Sequence, residues 1–326
     1  YSYFVGCSTG GREGMILSQR YPTVFNGIVS GDPAMRTGFS NLAISQWIPV
    51  AYNQASPTDA SGKPEIDKFL TDGDRKLFMD SLMKQCDGKD GVVDGMISDP
   101  LGCDFDPAVL ACKSGQTDGC IAPRKIAAIK KAFAGPRNFY GTQVYPGFLY
   151  DAGIATKGFV PGLLALGKSG LFGPYTTATE LDVDRAALHA SDPVVEPAST
   201  NLSTFSLDGG KLIFFHGDSD PWFSALDTLG YYKSLAAANG GEDKVEQWSR
   251  IFLIPGMAHC GGGLSLDQFD MLSAIVDWVE KGVAPDSVVA TGKAFPGRSR
   301  PLCPYPKHAQ YTGSGDTQDA RNFRCQ

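Results

Sequence analysis

Gly6-Cys7-Ser8-Thr9-Gly10-Gly11 stands between an apolar run, Tyr1-Ser2-Tyr3-Phe4-Val5, and a helix-forming stretch from Arg12 to Arg20. Strand, sharp glycine turn and helix form the setting in which G-x-S-x-G lifts a serine hydroxyl off the end of a sheet. Glycines two places either side of Ser8 relieve crowding in such a turn. Ser8 is therefore the candidate nucleophile. The N–H of Thr9, at the helix start, would face a developing oxyanion. A structural glycine turn around a buried serine is the alternative that the motif alone leaves open.

Outward from this turn, Gly27 to Gly31 reads as a second strand, completing a βαβ pattern that favours a parallel sheet. The pattern returns late in the chain. Lys211 to Phe215 is an apolar strand, Phe223 to Asn239 a helix, Arg250 to Ile254 another strand and Leu266 to Lys281 an amphipathic helix. Residues 36–205 between these blocks are irregular and rich in Gly, Pro and Asp, with helices expected over Pro64 to Gln85 and Pro123 to Ala134. The expected organisation is α/β. Residues 1–35 and 206–326 form the core and 36–205 an inserted lid domain.

Composition narrows the function classes. The formal net charge is −6 with no long basic run, which argues against nucleic acid as a partner. No apolar stretch approaches a membrane span. Eight cysteines, with no C-x-x-C pair, point to an oxidising compartment and a secreted or periplasmic protein. The close pairs Cys86 with Cys103, Cys112 with Cys120, and Cys303 with Cys325 suggest local bridges. The chain opens on a buried-looking strand with no leader, so an upstream segment of the same protein is expected.

A serine hydroxyl needs a base to attack at neutral pH. The four histidines are His189, His216, His259 and His308. His259 follows the late strand on a loop, Pro255-Gly256-Met257-Ala258, and is the candidate base. His216-Gly217 reads as turn-shaping, and His189 and His308 as surface residues. Both Asp218 and Asp220 could be the acid, lying past a strand end and between nucleophile and base. Asp220 is preferred and Asp218 is assigned to the turn. Cys7 precedes Ser8 and Cys260 follows His259, so a disulfide between them would tie nucleophile to base. Closing so long a loop is credited with roughly 5 kcal/mol.

The loop Cys86-Asp87-Gly88-Lys89-Asp90-Gly91-Val92-Val93-Asp94-Gly95-Met96 is dense in Asp and Gly. Asp87, Asp90 and Asp94 suit a hard cation such as Ca²⁺, although the spacing is not that of an EF-hand and metal-free Asp-Gly turns fit equally well.

Together, Gly6 to Gly11, His216-Gly217 through Asp220, and His259-Cys260 resemble the tannase and feruloyl esterase family of α/β hydrolases. Within it the likeness is greatest to bacterial hydrolases of terephthalate monoesters, through Gly11-Arg12-Glu13-Gly14-Met15, Phe223 to Thr228, Phe269 to Leu272, and Arg300 to Pro306. The resemblance implies an α/β-hydrolase fold carrying the C-terminal part of the core sheet and a large lid. It implies the triad Ser8, Asp220 and His259, and an oxyanion donor at Thr9. It also implies a substrate contact at Phe223 and the disulfides Cys7–Cys260, Cys86–Cys103, Cys112–Cys120 and Cys303–Cys325. A structural lid Ca²⁺ would be held by Asp87, Asp90 and Asp94 with the carbonyls of Val92 and Met96.

The expected activity is serine esterase hydrolysis of a small aromatic ester of feruloyl, galloyl or terephthalate-monoester type. The competing reading is a calcium-stabilised extracellular binding protein without turnover. Three departures stand out. Thr9 stands where the terephthalate enzymes have a glutamate, Gly158 to Pro193 is shorter than the lid stretch whose arginine grips terephthalate and shows no convincing match to it, and the second oxyanion donor would lie upstream of residue 1.

Overall fold

The computed structural model describes residues 1–170, 173–192, 194 and 196–326. Its centre is a parallel sheet of β1 (Tyr3–Cys7), β2 (Gly27–Gly31), β3 (Lys211–Gly217) and β4 (Ser249–Ile254), in chain order. Val29 pairs with Val5 on one side and Ile213 on the other, and Phe215 pairs with Phe252. Side chains alternate along a strand, so each strand feeds two cores. Ile28, Leu212, Phe214 and Ile251 pack with Met15 of helix α1 (Thr9–Arg20) and with Leu229 and Tyr232 of α2 (Ala225–Ala238). Val29, Ile213, Phe215 and Phe252 pack with Ile275 and Trp278 of α3 (Met271–Lys281). Such a sheet is apolar on both faces, which is why KLIFF and RIFLI read as continuous runs.

Several boundaries differ from expectation, each for a local reason. β1 begins at Tyr3 and runs through Cys7, and α1 starts at Thr9, directly after the serine. The helix expected from Pro64 begins at Asp72. Thr71 Oγ1 accepts the Asp74 N–H and Asp74 Oδ2 accepts the Thr71 N–H, a capping box that fixes this start. The last helix begins at Met271, where Asp270 accepts the Ser273 N–H at 2.8 Å. Leu266 and Phe269 still contribute to the core from outside the helix. The helix Pro123–Ala134 has the bounds expected.

The middle stretch packs around its own apolar cluster, including Ile48, Tyr52, Phe69, Phe78, Phe133 and Tyr145. C-terminal to α3, two short antiparallel pairs, Val288–Thr291 with Ser299–Leu302 and Ala309–Tyr311 with Phe323–Cys325, close the chain. All four expected disulfides are present. No described helix is long and apolar enough to cross a membrane.

Candidate active site

In a parallel sheet all strands end at the same edge, and that edge is where ligands bind. Here β1 is followed by Ser8, β2 by Asp32, β3 by Asp218 and Asp220, and β4, after a short turn, by His259.

Ser8 adopts a left-handed backbone with φ 64°, the strained turn a nucleophile elbow requires. Its N–H donates to Gly31 O at 2.9 Å, and its carbonyl accepts from Arg12 N at 3.0 Å and Ala34 N at 3.1 Å. The turn is thus pinned to β2. A Cβ on Gly6 would lie 2.5 Å from the Gly10 carbonyl carbon, and one on Gly11 2.3 Å from Gly31 O, so both glycines are sterically required. Thr9 opens α1, so its N–H lacks an intrahelical acceptor.

His259 is buried, and its Nδ1 lies 2.7 Å from Asp220 Oδ2. A carboxylate only accepts, so Nδ1 carries a proton, and in the neutral ring the lone pair is on Nε2. Asp220 Oδ1 accepts the N–H groups of Trp222 at 2.8 Å and Phe223 at 3.1 Å. Burial pushes the Asp220 carboxyl up, but hydrogen bonds from His216 and His259 outweigh it and hold it below the usual range. The imidazole of His259 lies against Trp222 at 4.8 Å and Phe223 at 5.2 Å between ring centres. Among the described residues Ser8 Oγ makes no hydrogen bond to His259, a contact that is often long before substrate binds. The Cys7–Cys260 disulfide, with Cα atoms 6.0 Å apart, joins the two turns directly.

Trp222 also walls a cavity of about 450 Å³ with Phe159, Leu163, Leu166, Tyr175 and Ile44. Lys157, paired with Asp72 at 2.9 Å, is the cation among its described lining residues. Gly158 to Pro193 supplies much of this wall; Pro193 itself lies outside the described residues, as do residues 171–172.

Sequence reasoning missed three residues. Asp32 is wholly buried beside the site, and burial, reinforced by Asp220, pushes its carboxyl up to about 7. It obeys the rule that selected Asp220, a carboxylate just past a strand end, and was legible on that ground. His216 is buried against Asp220 at 3.4 Å rather than merely shaping a turn. Trp222 roofs His259. The assignment of Asp218 to the turn also needs correction. Its side chain is buried, and neither carboxylate oxygen has a hydrogen-bond partner among the described residues. Burial and the neighbouring Asp151 raise it well above the usual range. His189 is exposed, and His308 is half-buried with Nδ1 3.9 Å from Asp99 Oδ2.

In the acidic loop, Asp87 and Asp90 are buried. Asp87 accepts the N–H groups of Asp94 and Gly95, each at 2.9 Å, and Asp94 meets Arg300 and Arg298. Burial raises the Asp90 carboxyl, and Asp94 and Asp87 add to the shift. Among the described residues, no three carboxylate oxygens there lie within 4.8 Å of one another. Three carboxylates in one loop, two of them buried, are hard oxygen donors of the kind that Ca²⁺ takes.

A mono(2-hydroxyethyl) terephthalate hydrolase of Piscinibacter sakaiensis is 37% identical over 388 residues, covering 99% of this chain and 63% of the relative. Feruloyl esterase B of Aspergillus niger is 30% identical over 359 residues, covering 100% of this chain and 66% of the relative. The chain therefore spans somewhat under two thirds of the length of these relatives. The crystal structure of feruloyl esterase B from Aspergillus oryzae superposes with a TM-score of 0.76 at 28% identity, over all of this chain and 68% of that one. The model of the family described as tannase and feruloyl esterase matches residues 1–164 and 174–326, and its one internal gap falls inside Gly158 to Pro193. With that match over nearly its whole length, the chain belongs to the tannase and feruloyl esterase family.

Proposed function

We propose that this chain carries the catalytic machinery of a serine carboxylesterase acting on small aromatic esters, on an α/β-hydrolase core with residues 36–205 as its lid. The observation that carries the reading is the buried 2.7 Å pairing of His259 with Asp220, tied by Cys7–Cys260 to the strained Ser8 turn. His259 Nε2 takes the Ser8 proton as Oγ attacks the ester carbonyl. The Thr9 N–H and a second donor hold the oxyanion. The C–O bond to the alcohol then breaks, and the alcohol leaves with the proton from His259. Water, deprotonated by the same imidazole, attacks the acyl carbon, the C–Oγ bond breaks, and His259 returns the proton to Ser8 as the acid leaves. Asp220 keeps the ring in the required tautomer throughout.

The cavity beside Trp222 and Phe159 supports an aromatic acyl group, and the relatives' names support feruloyl, galloyl or terephthalate monoesters. Phe223 contacts substrate in this reading. Asp87, Asp90 and Asp94, with the Val92 and Met96 carbonyls, would hold a structural Ca²⁺ that neutralises the acidic loop. Four disulfides support a secreted or periplasmic location.

The test is Ser8→Ala in the full-length protein. It abolishes both fluorophosphonate labelling and turnover of methyl ferulate, methyl gallate and mono(2-hydroxyethyl) terephthalate. Retained hydrolysis, or absence of labelling in the unaltered protein, would sink the assignment.

A further inference from the structure

His216 is the penultimate residue of β3, and its ring is fully buried. Nε2 lies 3.0 Å from the Phe223 carbonyl oxygen, 3.4 Å from Asp220 Oδ2 and 3.7 Å from Asp32 Oδ1. All three are acceptors when the carboxyls are ionised, so Nε2 carries a proton whether the ring is neutral or charged. Nδ1 meets the Thr228 hydroxyl at 2.8 Å, a group that donates or accepts as needed.

Asp32 approaches the same Nε2 edge of this imidazole as Asp220 does. Its Oδ1 accepts the Gly217 N–H at 2.9 Å. Its Oδ2 lies 3.5 Å from Cys7 Sγ, a disulfide sulfur with no hydrogen to donate. One ligand atom each of Asp32, Asp220 and His259 falls within 4.8 Å of the other two. The backbone around Asp32 is also held in a left-handed conformation, φ 35°, which bulky residues rarely adopt.

We propose that His216 is a positioning residue for the acid of the triad. Its Nε2–H joins Asp220 Oδ2 to the Phe223 carbonyl, with Asp32 as a second carboxylate beside the same nitrogen. The inference rests on the triad reading above. It explains how one carboxylate serves both imidazoles. Oδ1 is filled by the Trp222 and Phe223 N–H groups, and Oδ2 is shared between His259 and His216. The carboxylate then has no freedom to rotate when His259 becomes charged. Because the same Nε2–H binds the Phe223 carbonyl, the turn carrying Trp222 and Phe223 moves with the acid. Burial works against charge on His216, but Asp32 and Asp220 outweigh it and raise its proton affinity, in keeping with a permanently protonated Nε2.

The test compares His216→Phe with His216→Gln in the full-length protein. Phe removes the donor. Gln places an amide N–H near the position of Nε2. His216→Phe lowers kcat about 100-fold with KM within about twofold, the size typical of lost outer-sphere support. His216→Gln recovers to within about tenfold of the unaltered protein. The rate of fluorophosphonate labelling at Ser8 follows kcat. The downfield proton resonance of His259 Nδ1–H shifts in His216→Phe and holds in His216→Gln.

A folded His216→Phe with unchanged kcat and an unmoved resonance overturns the proposal. So does a Gln variant as impaired as Phe, or a loss confined to KM. Should His216→Phe fail to fold, His216→Asn replaces it with the same expectation, since its shorter amide reaches only the Nδ1 position. Failure of labelling in the unaltered protein would instead sink the triad itself.

Discussion

The sheet and the middle stretch hold functional side chains in place by different means. At the sheet edge, position comes from backbone pairing. Val29 is locked between Val5 and Ile213, and Ser8, Asp32, Asp220 and His259 follow from strands that cannot slip. A one-residue slip would turn every core side chain outward. In residues 36–205 the described strand pairing is a two-residue pair, Ser169–Gly170 with Gly173–Pro174. There, an apolar cluster that includes Tyr52, Phe78 and Phe133 does the packing, and Cys86–Cys103, Cys112–Cys120, the Thr71 capping box and aspartate-to-backbone bonds staple the loops around it. Pairing fixes the strand-end residues against one another, whereas local staples fasten loops that have almost no strand pairing among the described residues. The gap in the family match lies on the stapled side, at residues 165–173.

Three experiments press on this contrast. The largest effect is expected from the one bridge that spans the sheet edge. Cys7→Ser with Cys260→Ser should cost up to roughly 5 kcal/mol of stability and lower kcat about 100-fold by loosening nucleophile against base. Cys112→Ser with Cys120→Ser, a bridge across a separation of 8, should cost about 2–3 kcal/mol and leave kcat unchanged. Equal catalytic losses from the two pairs, measured beside denaturant melts, would erase the distinction.

Next in size is the acidic loop. Chelation at pH 7.5 should lower the melting temperature by several degrees, with excess Ca²⁺ restoring it. In Asp90→Asn the response should disappear. A melt indifferent to chelator and to added Ca²⁺ removes calcium from the account.

The smallest effect concerns Asp218. Its folded-state carboxyl is raised, so its stabilising contribution is complete below the unfolded value near 4 and is lost as pH climbs. Asp151, raised to about 6 by burial, acts in the same direction. Asp218→Asn should therefore melt higher than the unaltered protein at pH 8, by roughly 3 °C, and level with it at pH 4. A difference that stays constant from pH 4 to pH 8 would contradict the buried-charge explanation.

Legibility in the sequence followed the same divide. KLIFF and RIFLI announce strands because both faces are covered, and the turn around Ser8 is announced by Gly6 and Gly11, where a Cβ would clash, whereas Gly10, expected to relieve crowding, has open space beside it. The position of Asp220 past the strand end led to its choice, and the family likeness supplied the full pairing of the cysteines. Asp32 and His216 escaped because their significance lies in strands that meet only in three dimensions. Nothing near Asp32 in sequence foretells an imidazole from β3 lying 3.7 Å away. Trp222 escaped because an aromatic residue after Pro221 looks like core until its ring is seen above His259. The start at Asp72 was written in the capping box Thr71 to Asp74, a signal weaker to the eye than Pro64.

The Cys7–Cys260 bridge spans 253 residues. A ribosome releases the first of these cysteines long before the second. Cys86, Cys103, Cys112 and Cys120 all emerge in between, and their partners are only 17 and 8 residues apart. The thiol beside Ser8 reaches its final partner only after nearer cysteines have passed it, whether by waiting or by exchange. A chain that keeps Cys7 on a nearer partner lacks the covalent tie between the Ser8 turn and the His259 loop.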